Sequence, residues 1–189
     1  MGDVSTDRLD AIPWAQRLLR NPKWTIVKTP SRLAKSTGQD SFFAETLATD
    51  RTMRSCTTLR PAKPAEGDPA YAEIVLIVEV GDALNGFART LHGGMAATLL
   101  DEVCGVLITL NVDTHAERSR ASGPTAQYLT AYLNTTYKRP IHTPGAILCT
   151  AKIERQEGRK LYVGATIEDG LGTICTIGQG LFIRVEPRL

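Results

Sequence analysis

The chain has 189 residues, enough for one domain with a sizeable core and a short extension. Lysine and arginine number 22 against 20 aspartates and glutamates, and the resulting formal charge of +2 gives no support to a general nucleic-acid surface. No apolar run approaches the length of a membrane span, and the opening MGDVSTDRLDA, with early acids and no apolar stretch, does not read as a secretory signal.

Residues 1–12 read as frayed. Pro13 before WAQRLL predicts a short helix with Trp14, Leu18 and Leu19 on its apolar side, ended by Asn21-Pro22. Trp24, Ile26 and Val27 extend briefly, residues 30–39 read as loop, and residues 42–49 are ambiguous between helix and strand. Three prolines and Gly67 make residues 60–70 a linker or surface loop. Residues 1–70 thus read as an N-terminal helical and loop extension packed on a core formed by residues 71–189.

Residues 73–80, EIVLIVEV, predict a strand from their β-branched content. After a turn comes the central stretch TLHGGMAATLLDEVCG, residues 90–105. It predicts a helix over about residues 93–110 that is apolar on nearly every face and therefore buried. A carboxylate in such a helix needs a partner or a task. The paired glycines at its start let the backbone approach a ligand closely, and the unpaired N–H groups of a first turn suit a carbonyl oxygen or an anion.

Residues 111–124 are polar and predict a loop carrying Arg118 and Arg120. Strands are expected at residues 126–137, 146–155, 161–167 and 173–185. Turns fall at Gly145, at Glu157-Gly158-Arg159 and at Asp169-Gly170. Gly178 and Gly180 inside the last strand point to bulges or close packing. One strand, a long apolar helix and four antiparallel strands make an α+β fold. The helix is buried only if the sheet curves around it.

The cysteines at 56, 104, 149 and 175 form no close pair and no metal-ligand pattern, and the histidines at 92, 115 and 142 are scattered. The expectation is a reducing, cytoplasmic setting, with no metal site and no cofactor.

Three blocks carry a resemblance. LHGGMAATLLDE (residues 91–102) holds an aspartate nine positions after its histidine, TAYLNTTYKRPI covers residues 130–141, and EGRKLYV covers residues 157–163. In this order they resemble the PaaI-like hotdog-fold thioesterases, nearest the member-4 type of acyl-CoA thioesterase and its fungal-type relatives. The similarity covers roughly residues 73–186. Ser31-Arg32 and Thr46-Leu47 fit an extension of the fungal-type relatives.

The resemblance implies thioester hydrolysis. Gly93 matches the backbone N–H that holds the thioester oxygen. Asp101 matches the carboxylate that activates water or attacks directly, with Glu102 as a rival about 100° round the helix. Thr130 matches the strand hydroxyl that orients the water or the acid, and His92 lines the site. Some relatives carry a polar side chain six residues before the histidine. Gly86 stands there, so either Asn85 serves as the second oxyanion donor or that donor is missing. Lys138, Arg139, Arg159 and Lys160 are candidates for coenzyme A phosphates or an acyl-carrier protein. Gly93 and Asp101 lie eight residues apart, roughly 12 Å along one helix. Reacting atoms need about 3–3.5 Å. The resemblance resolves this with a homodimer, or a dimer of dimers, in which each site takes Gly93 from one chain and Asp101 with Thr130 from the other. The substrate is then an acyl-CoA, or a fatty or polyketide chain on a carrier protein. A different acyl-thioester reaction such as dehydration, or binding without turnover, are the alternatives.

Overall fold

A computed structural model describes residues 8–120 and 125–185. The expectations for residues 1–7, and for Gly123 in the loop before β6, lie outside the described residues. The elements that position the site follow in chain order: α1 (Pro13–Leu19), β1 (Trp24–Val27), β2 (Met53–Pro61), β3 (Glu73–Val80), β4 (Asn85–Phe87), β5 (Thr90–Leu91), α2 (Gly93–Ser119), β6 (Gln127–Tyr137), β7 (Gly145–Glu157), β8 (Lys160–Glu168) and β9 (Ile174–Val185). Seven of the strands form one sheet in the order β1-β2-β3-β7-β8-β9-β6, antiparallel throughout, and β4 pairs with β5 as a small hairpin. The long helix packs on this sheet, and the architecture is the α+β hotdog fold.

Strand β3 shows why the run EIVLIVEV is apolar without alternation: both of its faces are covered. Ile74, Leu76, Val78 and Val80 join α2 in the main core. Val75 and Ile77 join Leu9, Ala15 and Leu59 in a second cluster on the opposite face, which Trp14, Leu18 and Leu19 of α1 flank. Strands β7 and β8 have one buried face each, with Ile147, Cys149 and Ala151 buried on the first and Leu161, Val163, Ala165 and Ile167 on the second. Asp169 Oδ1 accepts from the N–H groups of Leu171 (2.8 Å) and Thr173 (3.0 Å), so the β8–β9 turn closes on its own side chain. Gly170 holds φ +76 in that turn, and a Cβ there would meet the Trp14 ring at 2.1 Å. The extension is thereby docked on the β8–β9 turn. At Gly178 a Cβ would come within 3.1 Å of Leu100 Cδ1. Close helix–sheet packing is what the glycine permits.

Four expectations change. The helix runs to Ser119, well past residue 110, because polar residues alone do not stop a helix without a breaker. Asn111 holds the backbone of Tyr71 in both directions, and Arg118 donates to Ala65 O (2.6 Å) and Gly67 O (3.2 Å). Arg118 and Arg120 therefore belong to the helix end, where Arg120 takes the left-handed cap at φ 49, and not to a free loop. Strand β2 lies where no element was expected. Residues 42–46 form a single π-type turn. Finally, α2 is long and apolar enough to cross a membrane by length and composition alone, and half of its most apolar stretch is buried in the fold.

Candidate active site

The first turn of α2 is organised by His92. As the N-cap, it holds extended backbone (φ −61, ψ 134), and its Nδ1 accepts from the Gly94 N–H at 2.9 Å. An imidazole that accepts at Nδ1 carries its proton on Nε2. His92 thus spends its acceptor on the helix, while the Gly93 N–H, first in the helix, has no intrahelical partner by position. Tyr137 closes over this end and donates from its hydroxyl to Gly93 O at 2.9 Å. Tyr137 was not foreseen from the sequence, since the contact spans 44 residues and no local pattern marks it.

A cavity of about 500 Å³ opens beside this turn, lined by the β4–β5 hairpin, Gly93, Ala96, and residues 137–141. Thr176 also lines it. The Thr176 side chain is 1% exposed, and its Oγ1 has no hydrogen-bond partner among the described residues. Gly86 is packed directly on His92, where an added Cβ would lie 3.0 Å from His92 Cα. Asn85 Oδ1 accepts from the Thr143 hydroxyl. The Asn85 amide is therefore tied to the strand connection on the far side of the hairpin, and Gly86 offers no donor side chain.

Two turns along the helix, the adjacent carboxylates diverge. Asp101 Oδ1 accepts from Thr130 Oγ1 of β6 at 2.9 Å, on a partly exposed surface. Glu102 turns to the other flank and accepts from Ser31 Oγ of the extension. Burial pushes its carboxyl up to about 7, helped by Asp40 and Asp101, and opposed by the Ser31 hydroxyl and by Arg32. Arg32 in turn donates to the carbonyls of Phe43 (2.7 Å), Leu47 (3.4 Å) and Met53 (3.1 Å) and so gathers the extension beside the helix.

The basic candidates separate into two places. Lys138 and Arg139 line the cavity at the helix start, with their backbone N–H groups on Cys175 O (2.8 and 3.0 Å). Arg159 and Lys160 sit at the β7–β8 hairpin, where Lys160 is opposite Ile183 of β9. Seven residues of β9 separate those two levels, about 23 Å at ~3.3 Å per residue. Within one chain the two pairs do not reach the same phosphate. Among the described residues no cluster of three or more metal-ligating side chains exists.

Residues 88–176 match the family model described as the thioesterase superfamily. That stretch, on its hotdog fold, resembles the thioesterase superfamily. The domain is 31% identical over 119 residues to acyl-coenzyme A thioesterase THEM4 of Rattus norvegicus, a match over 62% of this chain and 46% of that protein. The chain thus spans about half the length of the curated thioesterases it matches. Verlamelin biosynthesis protein B of a Lecanicillium species is similar along nearly the whole chain, at 21% identity over 99% of this chain and 91% of its own length. Among solved structures, a conserved protein of Pseudomonas aeruginosa superposes with TM-score 0.54 at 18% identity, over 84% of this chain and all of that one. The PaaI protein of E. coli superposes with TM-score 0.51 at 13% identity, over 62% of this chain and 77% of its own. These two show the shared fold.

Proposed function

We propose that the protein hydrolyses an acyl thioester to free acid and thiol in a homodimer with two composite sites. The observation that carries this reading is the Thr130–Asp101 hydrogen bond at 2.9 Å, on the face of α2 that meets β6, within a domain that resembles the thioesterase superfamily. The hydroxyl holds one carboxylate oxygen, and the other is left to take a proton from water or to attack the thioester carbon. The carbonyl oxygen gains charge as the carbon becomes tetrahedral. The Gly93 N–H and the positive end of the α2 dipole are suited to hold that charge. Collapse of the intermediate expels the thiolate, which takes back the proton.

The dimer is supported by β6. It is an edge strand of eleven residues with Leu129 (59%), Tyr132 (43%) and Tyr137 (56%) exposed. A long, unprotected apolar edge calls for a partner, and a second copy of the same edge supplies one. Residues before 71 act as an extension of this domain: β1 and β2 widen the sheet and α1 covers its outer face. Lys138 and Arg139 are placed to meet phosphates of coenzyme A or of a carrier-borne phosphopantetheine arm. Carrier-bound chains stand beside acyl-CoA in the substrate panel, because either would present the same phosphopantetheine thioester. The test is free-thiol release by wild type and Asp101→Asn across acyl-CoA and acyl-carrier substrates. Turnover that survives the substitution in full would sink the assignment.

A further inference from the structure

We infer that the hydroxyl of Thr176 is a specificity group for the thiol half of the substrate, and that it bonds the first amide of the thiol arm, the cysteamine amide next to the thioester. This rests on the thioesterase reading above.

A buried polar group without a partner costs stability, and its retention calls for a reason. Thr176 Oγ1 is such a group: it has no hydrogen-bond partner among the described residues. The residue is 1% exposed, so bulk water does not serve the hydroxyl. Its place in the fold is on the helix side of β9. Thr176 shares a strand face with Gly178, two residues on, where a Cβ would touch Leu100. The step from Gly178 to Thr176 is ~6.6 Å along the strand, and the turn from Leu100 back to Ala96 is ~6 Å along the helix. Ala96 and Thr176 both line the cavity at the helix start.

Both neighbours of that cavity are tied to Thr176. Tyr137 is its cross-strand partner and donates to Gly93 O. Lys138 and Arg139 donate their N–H groups to the carbonyl of the adjacent Cys175. Thr176 therefore stands between the Gly93 N–H, which is suited to the thioester oxygen, and the two cations suited to phosphate.

The spacing selects the group that it meets. Ala96 marks the level of Thr176, about 4.5 Å along the helix axis from Gly93. In a thioester of coenzyme A or of a carrier-borne arm, the amide nitrogen follows the carbonyl carbon by four bonds, about 5 Å when extended. That amide is present whatever the acyl group. It offers an N–H and a carbonyl, and a hydroxyl can donate or accept. Since the Thr176 hydroxyl has no bond to give up, the new bond is not offset by the loss of an old one.

The test compares butanoyl thioesters of N-acetylcysteamine and of pentanethiol, in which methylenes replace the amide, with wild type, Thr176→Val and Thr176→Ser. Wild type should favour the amide-bearing ester by about tenfold in kcat/KM. Thr176→Ser should keep that preference and Thr176→Val should lose it. Thr176→Val should also melt no lower than wild type, because a methyl replaces an unpartnered hydroxyl. A preference unchanged in Thr176→Val, or lost equally in Thr176→Ser, overturns the inference. So does a clear fall in the melting temperature of Thr176→Val, which would give the hydroxyl a structural bond instead. The uncleavable thioether S-butyl-coenzyme A separates recognition from chemistry. Calorimetric binding to Asp101→Asn that weakens about tenfold when Thr176→Val is added supports the inference even where no thioester is cleaved, and the hydrolysis reading is then the one that fails. Thioester turnover with no amide preference leaves hydrolysis standing and removes the role of Thr176.

Discussion

The two flanks of α2 treat neighbouring carboxylates in opposite ways. On the β6 flank, Asp101 is partly exposed and keeps a single hydroxyl donor, so one oxygen stays open to solvent or substrate. On the extension flank, Glu102 is half-buried like Asp101 but accepts from Ser31 of the extension, and desolvation lifts its carboxyl to about 7. One peptide step separates them, and about 100° of helix rotation gives them different surroundings. A strongly shifted acid is often taken as the mark of an active site. Here the shifted group is the one bonded to the extension, and the group that faces β6 carries the proposed chemistry.

The contrast can be broken from either side. The largest effect is expected from Asp101→Asn, which should lower kcat by about 10²–10⁴ while leaving thermal stability close to wild type. Glu102→Gln should do the reverse: turnover stays near wild type and the pH dependence of stability changes. With a folded pKa near 7 against an ordinary value of 4.5, the folded protein holds a proton that the unfolded chain has lost between those pH values. Stability therefore falls as pH rises through that window, by about 3 kcal/mol in all. Denaturant unfolding at pH 4.5, 6 and 8 should show this fall in wild type and a flatter profile in Glu102→Gln. A profile unchanged by the substitution would remove Glu102 as its source. Gly178→Val tests the shared floor of both flanks by pressing on Leu100, and a loss of about 1–3 kcal/mol in thermal unfolding is expected. Thr130→Ala should cost about tenfold in kcat with KM little changed, and Thr130→Ser should restore it. A KM effect alone would make Thr130 a binding group. The smallest effect concerns thiols. Cys104 and Cys149 are buried with their thiols pushed up by desolvation, so alkylating reagents should leave them unmodified in the native protein, as read by mass spectrometry.

Much of the sheet was legible because its strands obey simple patterns. The run 73–80 is apolar throughout and sits between two strands with both faces covered; β7 and β8 alternate and each buries one face. Strand β2 was not legible, because its buried positions include Ser55, Thr57 and Thr58, which look like loop residues in isolation. Their partners are distant: Ser55 donates to Glu79 at 2.8 Å, and Thr58 shares a 2.8 Å hydrogen bond with Thr29. The end of α2 was misplaced for a similar reason. Asn111, His115 and Arg118 are polar because they grip the 65–71 segment. At the candidate site, Gly93, Asp101 and Thr130 could be singled out from sequence motifs. Tyr137 over Gly93 and the Thr176 hydroxyl, which has no partner among the described residues, could not, since both depend on β6 and β9 meeting the helix start in space.

The central claim is that Gly93 and Asp101 of one chain serve different sites. Gly93→Pro is a clean probe of the N–H. Proline is tolerated at the first helical position, His92 already holds the extended backbone that a residue before proline prefers, and a Cβ at 93 meets Tyr137 only at 3.5 Å. The deciding measurement is thiol release by a purified mixed dimer of one Gly93→Pro chain and one Asp101→Asn chain, each inactive as its own homodimer. Composite sites predict one intact site per mixed dimer and about half of wild-type kcat. Activity no higher than that of the two homodimers would contradict the account.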